Sequence, residues 1–372
     1  MRTTVCIALL CWLALACGGA PDKLSDCIPA DGVTPICGLQ NPEDLAVLPG
    51  GEWLIVSQMA EPGGSSGSLV GLRIVDGEVI ELFPAAGSAA AAAAARHPTW
   101  GAADCPGPPD AAAFAPHGID LHSDANGDLR LAVVRHGGRE AIELFEITTP
   151  GGRPSLTWRG CVETPPKVWA NDVVALANGG LMVTKMMSSS EFPAALPGLV
   201  RILLGRETGG VYEWRREAGW RELEGGRGSG PNGIAVDSAA GEVYFSEWGS
   251  RRLTRLRPDG AGGWQRDSVA LPHNPDNLSW SESGALLVAG QSGGVGDAIG
   301  CGSVEGGTCA LPFSIVEVDP RSLETRVLLD HPATATGAAS SVVEVDGEFF
   351  IGTFAGDRIG RFSRVGSPMP GK

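Results

Sequence analysis

Residues 231–248 read PNGIAVDSAAGEVYFSEW. A polar residue, Asn232, opens an alternating apolar run, a glycine-containing turn follows, and a second apolar run ends at Trp248. Alternation of period two marks a half-buried strand, and two such runs joined by a tight turn form a β-hairpin. The same arrangement recurs in NPEDLAVLPGGEWLIVS (residues 41–57), PHGIDLHSDANGDLRLAVV (116–134), NDVVALANGGLMVTK (171–185), PDNLSWSESGALLVAG (275–290) and SSVVEVDGEFFIGTF (340–354). The six hairpins open on Glu43, His117, Asn171, Asn232, Asp276 and Ser341, an ordered repeat with uneven spacings of about 45 to 75 residues.

Short strands in repeated hairpins bury their apolar faces best as small antiparallel sheets packed radially about an axis. The expected fold is therefore all-β, a six-bladed β-propeller over residues 39–366 with a central metal-binding channel. Uneven repeat lengths argue against a solenoid, whereas a propeller absorbs them in loops on its faces. The alanine-rich tract near residues 86–95 and the segment 188–205 read as such insertions rather than as domain linkers.

If the six openings occupy equivalent places on the innermost strands, their side chains converge on one mouth of the channel. A lone Asn or Asp before a strand usually caps a turn; repetition at matching positions points to a ring. With Asn277 beside Asp276, that ring offers carboxylate and amide oxygens, few nitrogens and no thiols. Hard oxygen donors suit Ca²⁺, which accepts about six to eight of them.

Composition narrows the function classes. A formal net charge of -15 repels phosphate backbones and anionic surfaces, so nucleic acid is excluded as a partner. Met1 and Arg2 precede an apolar stretch, Val5 to Ala16, that is too short to span a bilayer but suits a signal peptide. Ala14-Leu15-Ala16-Cys17 followed by Gly18 resembles a bacterial lipobox, which would leave Cys17 lipidated and the protein anchored outside the cytoplasm; ordinary cleavage after Ala16 is the alternative. Residues 18–38 would then be a tether with a possible ring-closing strand, and residues 367–372 a tail. Six cysteines remain after Cys17: Cys27, Cys37, Cys105, Cys161, Cys301 and Cys309. In an oxidising compartment these are expected as disulfides. The near pairs are Cys27 with Cys37 and Cys301 with Cys309, leaving Cys105 with Cys161, although other connectivities stay open. No CxxC cluster supports zinc.

From about Asn41 to Phe362 the chain resembles the calcium-dependent paraoxonases or arylesterases, relatives in fold of the senescence marker protein gluconolactonases and of diisopropylfluorophosphatase. The resemblance rests on ordered motifs: Glu43-Asp44-Leu45 before LPGG, Phe114-Ala115-Pro116-His117-Gly118-Ile119, VVRH ending at His136 and followed by AIELFEI, Asn171-Asp172-Val173-Val174, Asn232-Gly233-Ile234, Asp276-Asn277-Leu278-Ser279, and the closing FIGTF. It implies a catalytic Ca²⁺ on Glu43, Asn171, Asn232, Asp276 and Asn277. It also implies a structural Ca²⁺ on Asp44, Asp172 and the Ile119 carbonyl, and a His117–His136 dyad. Ca²⁺ would polarise a lactone or ester carbonyl while His117 activates water; direct attack by Asp276 is the rival mechanism. The expected partners are a small-molecule lactone or ester and, through the lipid anchor alone, a membrane, with the protein a monomer.

Departures from that pattern are specific. Lys185-Met186-Met187 replaces Asn-Asp-His, Gln291 stands in place of a channel histidine, and Glu61 in place of an aromatic gating residue. No C-terminal cysteine is present for the family's terminal disulfide, which leaves ring closure to an N-terminal strand. Residues 192–204 match a membrane-contacting helix, but Pro193 and Pro197 argue against a regular one. Other motif matches fail on context. Gly63-Gly64-Ser65-Ser66-Gly67 lacks the strand-turn-helix setting of a nucleophile elbow. Asp124-Ala125-Asn126-Gly127-Asp128 has Leu129 where a calcium loop needs glycine and reads as a hairpin turn, and Asn277-Leu278-Ser279 falls in the channel rather than at a glycosylated surface. A non-catalytic calcium-braced scaffold, a sugar lactonase and a strictosidine-synthase-like condensing enzyme are the competing functions.

Overall fold

The computed structural model describes residues 21–61, 66–84, 96–123, 127–188 and 194–364. The signal segment with Cys17, the start of the tether, most of the glycine/serine loop at 62–65, the alanine-rich tract, Asp124 to Asn126, Phe192, Pro193 and the tail lie outside the described residues.

Six four-stranded antiparallel sheets surround the channel. Blade 1 comprises Pro42–Val47, Trp53–Gln58, Ser68–Arg73 and Val79–Phe83. Blade 2 comprises Ala115–Ser123, Leu129–His136, Ala141–Thr148 and Ser155–Glu163. Blade 3 comprises Trp169–Ala175, Leu181–Met187, Gly210–Arg215 and Gly219–Glu222. Blade 4 comprises Pro231–Asp237, Glu242–Glu247, Arg252–Pro258 and Trp264–Ala270. Blade 5 comprises Asn274–Trp280, Leu286–Gln291, Phe313–Val318 and Thr325–His331. Blade 6 takes Ala339–Val345, Glu348–Thr353 and Arg358–Ser363 from the C-terminal end of the chain and Thr34–Cys37 from the N-terminal end.

The fourth strand of blade 6 closes the ring: Thr34 to Cys37 pair antiparallel with Arg361 to Arg358. Arg358, fully buried, reinforces the closure. Its guanidinium donates to the carbonyls of Asp26 at 2.6 Å and Leu24 at 3.0 Å, so a buried charge has hydrogen-bond partners on the incoming N-terminal segment. The three disulfides are Cys27–Cys37, Cys105–Cys161 and Cys301–Cys309, the near-pair arrangement expected from spacing.

Apolar faces of adjacent blades pack against one another. Between blades 1 and 2, Ile55, Leu69, Phe83, Leu131, Phe145 and Trp158 form one buried cluster, and comparable clusters fill other blade interfaces. Two short helices rise over one mouth of the channel: α1, Leu196–Leu203, and α2, Val295–Cys301. The expectation against a regular helix before Leu204 is corrected by α1. Pro197 falls in its first turn, where the missing N–H has no intrahelical partner to lose.

Candidate active site

Every inner strand carries a bulge where its polar opening lies. Pro42 and Asp44 pair with Gln58 and Ser57, Pro116 and Ile119 with Arg135 and Val133, and Ala170 and Val173 with Lys185 and Val183. Likewise Pro231 and Ile234 pair with Glu247 and Phe245, Pro275 and Leu278 with Gly290 and Val288, and Ala339 and Ser341 with Thr353 and Gly352. At each of these bulges the inner strand therefore holds one residue more than its partner, which breaks the two-residue alternation and re-aims side chains; in blade 3 the partner strand recovers the residue between Trp169 and Ala170. Consecutive residues such as Glu43 and Asp44, or Asn171 and Asp172, can then both be buried along the axis. Gly118 permits the crowding: a Cβ there would lie 2.4 Å from Asp172 Oδ1 and 2.6 Å from Asp172 Cα.

Hydroxyls lock the bulged segments to neighbouring blades. Ser57 Oγ donates to the His117 carbonyl at 2.6 Å, Ser246 Oγ to that of Asp276 at 2.7 Å, and Thr184 Oγ1 to that of Asn232. Ser340 and Ser341 both donate to the Glu43 carbonyl. Ser341 was expected on the ring; its hydroxyl is engaged with blade 1 backbone instead, and it does not line the cavity.

The other five openings, Glu43, His117, Asn171, Asn232 and Asp276, meet at the floor of a cavity of about 390 Å³. Asn277 lies beside them, donating through Nδ2 to Glu43 Oε1 at 2.8 Å. Gln291 fills the channel position expected to differ. It donates to Asp276 Oδ2 at 2.6 Å, accepts from Trp248 Nε1 at 2.8 Å, and so holds one ring carboxylate in place.

Burial disfavours ionisation of the carboxyls at the floor. Burial pushes the carboxyl of Glu43 well above the ordinary range, with Asp44, Asp276 and Asp172 adding to it, and burial raises Asp276 and Asp44 each to about 7. Among the described residues no lysine or arginine forms a salt bridge with these four carboxylates; the one basic contact is His117 Nε2, 3.7 Å from Glu43 Oε1. Four buried oxygens, Glu43 Oε2, Asn171 Oδ1, Asn232 Oδ1 and Asn277 Oδ1, have no hydrogen-bond partner. Buried polar atoms without partners are costly, and three on one floor with a fourth beside them fit an oxygen-preferring divalent cation. No group of three or more His, Cys, Asp or Glu is placed to hold a metal among the described residues. Here the donors are two carboxylates, Glu43 and Asp276, and three amides.

The picture differs for Asp44 and Asp172, which are buried but do not line the cavity. Asp44 accepts from Leu45 N at 2.9 Å and Ile119 N at 2.7 Å, and Asp172 accepts from Val173 N at 2.7 Å and Ile234 N at 2.8 Å. Each of these carboxylates thus ties its own blade to the next. Ile119 meets Asp44 through its N–H, and neither carboxylate has an unpartnered oxygen.

His117 Nδ1 lies 3.0 Å from His136 Nε2, and His136 Nδ1 lies 2.7 Å from Glu140 Oε2. Burial, with His136 adding to it, lowers the His117 pKa to about 3, so the ring is neutral near pH 7. Trp169 covers both imidazoles, its ring centroid 5.3 Å from that of His136 and 6.2 Å from that of His117. Above the floor the walls are apolar: Met59, Trp169, Met186, Met187, Trp248 and Phe354, with Leu199 and Ile202 from α1 and Val295, Ala298 and Ile299 from α2. Sequence reasoning missed Glu140, Trp169 and Trp248. None belongs to a repeat opening, and the only signal was the nearness of Glu140 to His136 in the chain.

No protein-family model and no curated protein matches the sequence. Solved structures do. A gluconolactonase from Xanthomonas campestris superposes with a TM-score of 0.50 over 92% of this chain and 96% of its own, at 15% identity. A luciferin-regenerating enzyme superposes at 0.54 over 90% and 95%, at 14% identity. The fold shared with these structures is a six-bladed β-propeller. Likeness at these identities establishes architecture, and the chemistry has to come from the cavity.

Proposed function

We propose that the protein is a calcium-dependent hydrolase of lipophilic lactones or related carboxylic esters. The observation that carries this is the set of unpartnered oxygens of Glu43, Asn171 and Asn232 at the floor of a cavity that also holds His117, with that of Asn277, which is bonded to Glu43, beside them. Glu43, Asn171, Asn232, Asp276 and Asn277 would hold Ca²⁺, which when bound supplies Lewis-acid polarisation of a substrate carbonyl. His117, neutral and facing the floor through Nε2, takes the proton of the attacking water, and His136 behind it keeps the imidazole oriented. Gln291 holds Asp276 as a ring member, which favours water attack over attack by Asp276 itself.

The walls select the substrate. Among the described residues no lysine or arginine lines the cavity, and thioether, indole and aliphatic side chains surround the space above the floor. An alkyl or aryl group gains about 0.8 kcal/mol for each methylene buried there, whereas the hydroxyls of a sugar lactone would lose water without finding partners. Hydrolysis of gluconolactone is therefore not the preferred reaction of this chain.

The test is a panel of medium-chain γ- and δ-lactones, aryl esters and gluconolactone, assayed with the protein before and after chelation. Alkyl lactones should be hydrolysed at least about tenfold more efficiently than gluconolactone, the equivalent of two buried methylenes, and activity should vanish with chelator and return with Ca²⁺. A preference for gluconolactone would overturn the substrate assignment, and chelator-resistant turnover would overturn the role of the metal.

A further inference from the structure

Glu140 belongs to no repeat motif, yet its placement is tightly determined. It follows the turn Gly137-Gly138-Arg139 between the second and third strands of blade 2. Gly137, at φ 78°, passes so close to Ala113 that a Cβ would fall 2.2 Å from the Ala113 carbonyl oxygen. Arg139 Nη2 bonds Gly107 O at 2.6 Å and Glu143 Oε1 at 2.9 Å, and the Glu140 carbonyl accepts from Thr164 N at 3.1 Å. Anchored in this way, the turn presents Glu140 Oε2 to His136 Nδ1.

We infer that Glu140 is a positioning residue that sets the tautomers of both histidines, so that His117 offers an unprotonated Nε2 to the cavity floor. A carboxylate oxygen accepts and does not donate, so Nδ1 of His136 carries the proton. In neutral His136, Nε2 is then an acceptor, and its 3.0 Å contact requires an N–H on Nδ1 of His117. Neutral His117 is thereby left with its lone pair on Nε2. The opposite pair of tautomers would put an N–H on His117 Nε2, facing Glu43 Oε1 at 3.7 Å, and Glu43 favours that arrangement. Glu140, in direct hydrogen-bond contact at 2.7 Å, outweighs it. Without Glu140 the pair would turn over and His117 would present a donor where a water proton has to be accepted.

The use of that lone pair in hydrolysis rests on the proposed lactonase activity; the tautomer assignment does not, and the two are tested separately. Ring ¹⁵N spectra of the protein at pH 8, with His117→Gln and His136→Gln for assignment, should show N–H at Nδ1 and a bare Nε2 in both rings. Glu140→Ala should move the proton of His136 to Nε2, while Glu140→Gln, which keeps an acceptor oxygen, should retain the original pattern. The Glu140 side chain is 39% exposed, so both variants should fold. On the best lactone, Glu140→Ala should lower kcat about 10 to 100-fold with KM within twofold, and Glu140→Gln should restore most of it. Nε2–H on His117 in the unmutated protein, or tautomers unchanged in Glu140→Ala, would overturn the inference whatever the lactone assays return. Normal tautomers with no lactone turnover would count against the proposed function alone.

Discussion

His117 and Asp276 face the same cavity floor but are assigned separable tasks, which makes them the pair to compare. Asp276→Ala removes one of two carboxylates among the five proposed ligands, so Ca²⁺ affinity and turnover should fall together. His117→Gln leaves all five ligands in place, so Ca²⁺ should bind almost as before while lactone turnover drops about 10²-fold or more. Affinity by calorimetry beside kcat for both variants checks this; near-full activity in His117→Gln would move the catalytic step to Asp276. The oxygen-bearing positions were legible because they stand at the openings of hairpin repeats, and a shared structural position can be read from a shared sequence position. Gln291 could be noted as a substitution, but its grip on Asp276 was invisible: it comes from the end of a second strand, whose register no opening motif fixes. Glu140 was hidden for a related reason, since only the path of its turn brings it to His136.

At the scale of the element, the bulge explains how a two-residue period can bury neighbouring polar side chains along one axis. Hairpins and their number follow from alternation and turn residues, but one extra residue at each inner-strand bulge leaves no mark on a hydrophobic pattern. At Gly118 the bulge leaves no room for a Cβ. Gly118→Ala would drive a Cβ into Asp172 Oδ1 and backbone of blade 3, forcing two inner strands apart. Overpacking of this kind costs about 1 to 3 kcal/mol, so thermal unfolding should shift down measurably. Gly296→Ala in α2, where nothing lies within 4 Å of the new methyl, should be neutral or slightly stabilising. Equal behaviour of the two variants would mean that the close approach at Gly118 is not a constraint. The helix α1 carries the converse lesson: Pro197 reads as a breaker in isolation and as a starter once the first turn is located.

For the whole molecule, ring closure and charge placement are the organising facts. The chain joins its two ends in blade 6 through Thr34–Cys37, and the buried Arg358 fastens the N-terminal segment without a C-terminal cysteine. Its three disulfides suit export to an oxidising compartment. Closure of this kind creates an axis shielded from solvent, and on that axis the protein gathers carboxylates that burial alone would keep from ionising. A divalent cation reverses that balance, so folding and metal binding should be linked. The most direct measurement is a Ca²⁺ titration of chelator-stripped protein, followed by calorimetry and by the unfolding midpoint. Saturable binding is predicted, with stabilisation of about 2.7 kcal/mol at a hundredfold excess over Kd, both lost in Asp276→Ala. A protein that shows its β-sheet spectrum yet gives no binding heat and no shift in midpoint with Ca²⁺ would contradict the account at its centre.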